Sequence, residues 1–457
     1  MTEPYAAGGV TAVRGAMLSF TRDPFADGDG PAYRHEPDAV VAMAGGHITH
    51  AGPASEVLAA LPADTPVTSY GRDALILPGF IDCHTHYPQI RIMGAGGDPL
   101  LGWLSKHAFR AEQQLAAVDA ARETAQVFLR ECLRHGTTTA AAYCTVHPHS
   151  ATVFFEEAER LGLRMIAGKV LMDRQAPADL RDTAQRGYDE SKALIAAWHG
   201  QGRALYAVTP RWAGSSTPAQ LELAGVLWRE HPGTYLQTHL AETRDEVALV
   251  TSLFPERRGI LDIYDHHGLL GPRAIFGHGI WLTDAEQKRL REAGAALAHC
   301  PTSNLFLGSG LFDLARGTVS TQRTHVGVAT DLGAGTSFSM LRTLGEAYKV
   351  ARLRGGTLRA IEALYLATRG AAAALHLDDR IGSVEPGLEA DLVVLDLAST
   401  PFLAWRGALC ESLEELLFVQ LMLADDRAVR ATWAAGRLVH DRDHGPDFAY
   451  TESRMRT

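Results

Sequence analysis

The chain lacks paired cysteines. Its five, Cys83, Cys132, Cys144, Cys300 and Cys410, are odd in number and widely spaced, with no C-x-x-C among them. That excludes a disulfide framework and a thiolate zinc site, and leaves buried reduced thiols as the expectation. Nor is there an excess of positive charge. The 43 Lys and Arg stand against 53 Asp and Glu, a formal net charge of −10, which favours solubility and offers no footprint for nucleic acid. The N-terminus has Glu3 and no basic region ahead of an apolar run, so it does not read as a signal peptide. Two long uncharged stretches, residues 136–155 and 293–312, contain Pro148 with two histidines and Pro301 with Asn304, respectively. Neither suits a bilayer. Internal repeats and low-complexity tracts are absent, and the expectation is a cytoplasmic globular protein.

What is present is ordinary globular material: 457 residues, 46% hydrophobic and 21% charged, enough for about two to three domains or one large barrel with attachments. The first seventy or so residues suggest short strands at 10–20 and 39–43, with Gly45-Gly46-His47-Ile48-Thr49 as a hairpin link. A similar texture returns near the C-terminus, at 392–395 and in two runs around Gly436. Two β-rich ends around a different middle predict one small discontinuous domain.

The middle alternates. Apolar strand-like runs fall at 75–81, 137–143, 165–170, 205–208, 235–238, 274–277, 295–298 and 326–330. Segments of helical spacing, such as 116–133, 151–161, 218–230 and 284–292, lie between most of them. Continuous apolar strands separated by helices predict an α/β fold, a (β/α)8 TIM-type barrel. The resulting division is 1–72 and 381–457 for a small β-sandwich domain, and 73–380 for the barrel.

A barrel demands that chemistry sit at the carboxyl ends of its strands. The first strand ends in Asp82-Cys83-His84-Thr85-His86, where i and i+2 point the same way in an extended chain. With 20 histidines, about one H-x-H pair is expected by chance. A second pair exists at His147 and His149, but only the first ends a buried strand, so the second reads as a loop feature. The fifth strand runs into His239-Leu240-Ala241-Glu242, the sixth into His278, and the eighth into Asp331 before a glycine-containing loop. Each alone has a bland explanation, a core histidine or a turn aspartate. Together, four strand ends present metal-competent groups. His84, His86, His239 and Asp331 suit zinc or a similar divalent ion. His278 is placed to hydrogen-bond the attacking water, and Glu242 to shuttle protons.

These motifs resemble the amidohydrolase superfamily, and within it the guanine deaminase family. The resemblance rests on Pro78-Gly79-Phe80-Ile81-Asp82 leading into His84-x-His86, on H-x-x-E at 239–242 and on Asp331. It extends through Tyr87-Pro88-Gln89 and residues 100–104, 166–170, 172–174, 206–211, 235–239, 300–310 and 335–343, thinning in the last forty or so. It implies one zinc per subunit on His84, His86, His239 and Asp331, with Glu242, His278 and Asp331 catalytic. It also implies a guanine pocket formed by Gln89, Arg211, Trp212, His239, Glu242 and His278, release of ammonia to give xanthine, and a homodimer. The sequence departs from that family at Trp212, where Phe is usual, at Ala241 and Thr243 flanking Glu242, and at Gly102 and Arg110. These leave open a sister aminohydrolase acting on 8-oxoguanine, an aminopterin or a triazine-like ring. A non-catalytic barrel is the remote alternative. A cytidine-deaminase type of zinc site is disfavoured, since no Pro-Cys-x-x-Cys occurs.

Overall fold

A computed structural model describes residues 9–26, 30–315 and 324–445. Glu3 and the outermost parts of both terminal segments lie outside the described residues.

Five strands precede the barrel: β1 (Thr11–Phe20), β2 (Tyr33–Ala44), β3 (His47–Pro53), β4 (Val67–Ser69) and β5 (Ala74–Pro78). The barrel contributes β6 (Phe80–His86), β7 (Thr137–Tyr143), β8 (Arg164–Gly168), β9 (Val170–Leu171), β10 (Ala204–Pro210), β11 (Tyr235–Leu240), β12 (Ala274–His278), β13 (Ala296–His299) and β14 (His325–Val328). After it come β15 (Leu392–Asp396), β16 (Val429–Ala434) and β17 (Arg437–Asp441).

The two chain ends build one sheet in the order β17-β16-β15-β5-β1-β2-β3, with β4 added to β1. The junction is the antiparallel β5–β15 pair, in which Ala74 faces Asp396 and Pro78 faces Leu392. Alternating residues of β1, β2, β5, β15 and β16, among them Val13, Met17, Val41, Met43, Ile76, Val394 and Trp433, share one buried cluster. The sheet curls around it, and Ala390 N–H donates to the Gly46 carbonyl across the closing gap. Gly45 and Gly46 have φ of 58° and 83°, which supplies the left-handed β2–β3 turn foreseen in the sequence.

The run at 75–81 proves to be two strands in two sheets. Gly79 separates them, because a Cβ there would stand 2.2 Å from Thr138 Oγ1. Period counting joined them because both halves are fully buried and apolar, and only a close backbone approach marks the break.

The barrel strands are parallel, in the order β6, β7, β8, β10, β11, β12, β13, β14, with β9 on β10. They are buried throughout, apart from His239 in β11 and His325 at the head of β14, which is why they read as unbroken apolar runs. Closure between first and last strands uses the chain just past β14: Asp331 N–H donates to His84 O at 2.9 Å, and Thr330 N–H to Asp82 Oδ1 at 3.0 Å. Helices Val118–Arg134, Pro148–Leu161, Pro218–Glu230 and Asp284–Glu292 cover the outside close to their expected spans. Thr217 caps its helix with Pro218 at the first position, and Thr283 with Glu286 makes a capping box. The stretches 136–155 and 293–312 are consumed by strands and helices of the barrel. Among the described residues no helix is long and apolar enough to cross a membrane.

Sheet and barrel meet at the amino ends of the strands. Arg164 Nε donates to Glu389 Oε2 at 2.8 Å; Arg203 reaches the same carboxylate at 3.0 Å and Asp391 Oδ1 at 3.0 Å. The opposite rim is left free for chemistry.

Candidate active site

Four side chains from three strand ends meet at that rim. His84 and His86 alternate on one face of β6, and Asp82 between strands anchors them, taking the N–H of His84 at 3.2 Å and of Thr330 at 3.0 Å. Burial pushes Asp82 up to about 7 in spite of these bonds. His239, in β11, donates Nδ1–H to the Arg211 carbonyl at 2.7 Å, which turns Nε2 toward the other two rings. Asp331 follows β14 in the left-handed region, φ 50°. Its Oδ1 lies 3.4 Å from His84 Nε2 and 3.2 Å from His86 Nε2.

The four donor atoms lie within 4.8 Å of one another, an arrangement able to hold a metal ion. Burial lowers the pKa of each imidazole, that of His86 to about 3 and that of His239 well below the ordinary value, so each offers a neutral lone pair. Burial alone would raise Asp331, but the adjacent His84 and His86 rings and the His278 charge hold it well below the carboxylate range. Neither nitrogen of His84 has a hydrogen-bond partner among the described residues. His86 Nε2 and His239 Nε2 approach to 3.1 Å, too close for two lone pairs unless a proton or a cation lies between them. A buried imidazole with both nitrogens unengaged, beside this close pair, is a donor set that fits a bound cation.

Beside this cluster stand Glu242 and His278. Ala241 has φ 50°, so β11 turns sharply and aims Glu242 back over the barrel. Its backbone is pinned by Glu246, which accepts the N–H of Glu242 at 2.5 Å and of Thr243 at 3.2 Å within a capping box that opens helix Arg244–Leu253. Ser309 Oγ donates to Glu242 Oε1 at 2.8 Å, leaving Oε2 at 3.4 Å from His278 Nε2. Burial raises Glu242, an effect only partly offset by His278. Burial lowers His278, yet the Glu242 and Asp331 carboxylates more than compensate and its pKa rises. Asn304 Oδ1, 2.9 Å from His278 Nδ1, accepts that nitrogen's proton.

A cavity of about 470 Å³, counting its mouth, opens above these groups. Leu100, Leu101, Trp103, Leu104, Leu307 and Trp212 give it apolar walls, and Gln89 and Arg211 supply polar ones. Trp212 lies flat over Gly214, where a Cβ would meet the indole at 2.2 Å. Behind the polar wall is Glu112, whose Oε1 accepts Gln89 Nε2 at 3.0 Å and Arg211 Nη1 at 2.5 Å.

Every site residue expected from the sequence lines this cavity or lies directly beneath it. His147 and His149 do not. They stack on each other, ring centroids 5.5 Å apart, and His149 Nε2 meets the Leu115 carbonyl at 2.9 Å. Five residues here were not foreseen: Glu112, Glu246, Asn304, Ser309 and Tyr143, whose ring centroid stands 4.5 Å from that of His86 and 4.9 Å from that of His239. Asn304 and Ser309 fall in the 300–310 segment that carries part of the resemblance, without a role attached. Glu246 was legible as the fourth member of Thr243-x-x-Glu246 before an apolar run. Glu112 has no motif, and only tertiary structure buries it.

The chain belongs to the amidohydrolase family, whose model matches residues 75–439. It is similar to guanine deaminase of Escherichia coli, with 45% identity over 94% of this chain and 98% of that protein. The solved structure of the E. coli enzyme superposes with a TM-score of 0.91 over 94% of this chain and all of the other. A guanine deaminase structure from Bradyrhizobium japonicum gives 0.92 at 36% identity, over 95% of this chain and 100% of that one. More distant is an adenosine deaminase from Xanthomonas campestris with bound zinc: 25% identity, TM-score 0.79, covering 94% and 92% of the two chains.

Proposed function

We propose that the protein hydrolyses guanine to xanthine and ammonia with a zinc ion held by His84, His86, His239 and Asp331. The observation that carries the reading is the convergence of that four-donor cluster, the Glu242–His278 pair and the Gln89–Arg211 wall on one cavity. Neutral nitrogen donors with one carboxylate favour zinc over the harder calcium and magnesium, and the Xanthomonas relative carries zinc. The ion supplies Lewis acidity and brings the pKa of water toward neutrality.

The chain's own groups do the rest. Apolar walls exclude bulk water and take the flat faces of the ring. Arg211 gives donors to the purine acceptors, its rigid fork fixing the ring in the plane of the cavity. Glu242, with Oε1 tied to Ser309, uses Oε2 to take a proton from the nucleophilic water and pass it to the departing amino nitrogen. The overall exchange adds one water and releases one ammonia. His278, its pKa raised by the carboxylates of Glu242 and Asp331, donates to the oxygen that gains charge as the ring carbon becomes tetrahedral. Asp331, whose Oδ2 faces His278 Nε2 at 3.9 Å, relays a proton from the water.

Incubating the zinc-loaded protein with guanine and following xanthine and ammonia tests this. The expected outcome is stoichiometric appearance of both. Release of ammonia from a pterin, triazine or 8-oxoguanine but not from guanine would replace the substrate, and Trp212 would be the first residue to account for it. We also read the protein as a cytoplasmic homodimer. Free cysteines at all five positions fit a reducing compartment, and Phe402 and Trp405, 57% and 60% exposed, offer apolar surface. A monomer by sedimentation would reject the dimer.

A further inference from the structure

We propose that Glu112 sets the hydrogen-bond polarity of the recognition wall, making Gln89 an acceptor and Arg211 a donor toward the ring; this rests on the aminohydrolase reading above. Glu112 is 1% exposed and does not line the cavity. It stands one layer behind Gln89 and Arg211, in helix Phe109–Gln114. Both of those side chains address the same oxygen, Oε1.

The consequence follows from donor and acceptor inventories. A primary amide can present either end to a ligand, and nothing in Gln89 itself decides which. An oxygen already receiving an arginine N–H is an acceptor, so Gln89 must offer it Nε2. Its Oε1 then turns the other way, toward Gly333, where a Cβ would stand 2.4 Å away and φ is +119°. Glycine at that point leaves room for the amide. Arg211 spends Nη1 on Glu112 and keeps its other donors for the cavity, while Phe109 lies 5.5 Å from the guanidinium and steadies its plane. A ligand fits this wall only if it brings an N–H to Gln89 and a lone pair to Arg211. Guanine carries both kinds of group on its ring edges. An aminopurine that replaces the N–H with a lone pair meets two acceptors face to face.

Glu112 is therefore a positioning residue. It touches no substrate, yet it selects the substrate's donor pattern. Its second oxygen, Oε2, is buried with no hydrogen-bond partner among the described residues, so the side-chain contacts of this carboxylate run through Oε1 to Gln89 and Arg211.

The test is Glu112→Gln. An amide at 112 can accept from Arg211 and still donate to Gln89, which frees Gln89 to invert. The expected result is a KM for guanine raised about tenfold or more with kcat within about threefold. The preference for guanine over 2-aminopurine in kcat/KM should narrow by a similar factor, with metal content and melting midpoint unchanged. Glu112→Ala, if it folds, should show the larger loss in KM. Unchanged KM and preference, or a fall in kcat alone, would overturn the proposal. The wild-type protein in the same assay reports separately on the substrate. If it does not turn over guanine, the variant-to-wild-type ratio is taken on whichever amino-azine it does turn over.

Discussion

Replacing Glu242 with Gln separates proton transfer from metal binding more cleanly than any other single change at this site. The substitution preserves shape. The new carbonyl oxygen can keep the 2.8 Å bond from Ser309, and the backbone stays pinned by Glu246. What is lost is the oxygen 3.4 Å from His278 Nε2, replaced by an NH2 that cannot take a proton. General acid–base catalysis contributes about 10²–10⁴ in rate, or roughly 3–5 kcal/mol of barrier. The deficit should reach the upper end, because His278 also loses the Glu242 charge, the strongest of the carboxylates that raise its pKa. Steady-state ammonia release, with metal measured on the same samples, should show kcat down by roughly three to four orders of magnitude and zinc near stoichiometric. The pH profile carries the sign. Glu242 must begin ionised to accept a proton, and its pKa is raised, so wild-type activity should fall on the acid side above the ordinary glutamate range. A variant retaining kcat within about threefold would refute the shuttle assignment.

Three further outcomes follow from other parts of the molecule. His84→Ala and His239→Ala should each lower bound metal as measured by elemental analysis; full occupancy in both would mean the ion sits elsewhere. Glu389→Ala removes the only ion-pair partner of Arg164 among the described residues, and that arginine's side chain is 3% exposed. Stranding that charge at the sheet–barrel seam should cost about 3–5 kcal/mol in denaturant unfolding, and a loss under about 0.5 kcal/mol would show the seam does not need it. Burial, followed by the charge of Glu242, raises Glu246 to about 7. Between the ordinary glutamate value and about 7 the native state therefore keeps a proton that the unfolded chain has released, and stability declines as pH rises through that window. Glu246→Gln should flatten that slope; an unchanged slope would place the titration in another group.

Much of this was legible because buried parallel strands and rim chemistry leave opposite marks. A polar residue ending an apolar run, as at His84, His239, His278 and Asp331, has no packing reason to be there. The terminal strands were visible for a different reason, since Gly45, Gly46 and Gly436 punctuate them. Illegible were effects that exist only after folding. Residues 75–81 look continuous until Thr138 comes up against Gly79. Glu112 sits in an ordinary helical segment, and its partners Gln89 and Arg211 are 23 and 99 positions away. No local period carries that information. Ser309 and Asn304 lay within a segment already conspicuous, but their partners had to be seen before a role could be given.

Three of the residues at this site, Ala241, His278 and Asp331, hold left-handed backbone angles without being glycine. His and Asp tolerate that region better than most, whereas Ala241 has no side-chain group to compensate. Such positions cost on the order of 1–3 kcal/mol each, a sizeable fraction of the margin by which folded domains outlast their unfolded chains. Selection for durability alone would place glycine at 241, and selection for turnover would resist it, because a looser hinge lets the Glu242 carboxylate wander from its target. The position is thus one where heat tolerance and speed pull against each other. Libraries screened for survival at high temperature should accumulate Ala241→Gly among the variants that have slowed.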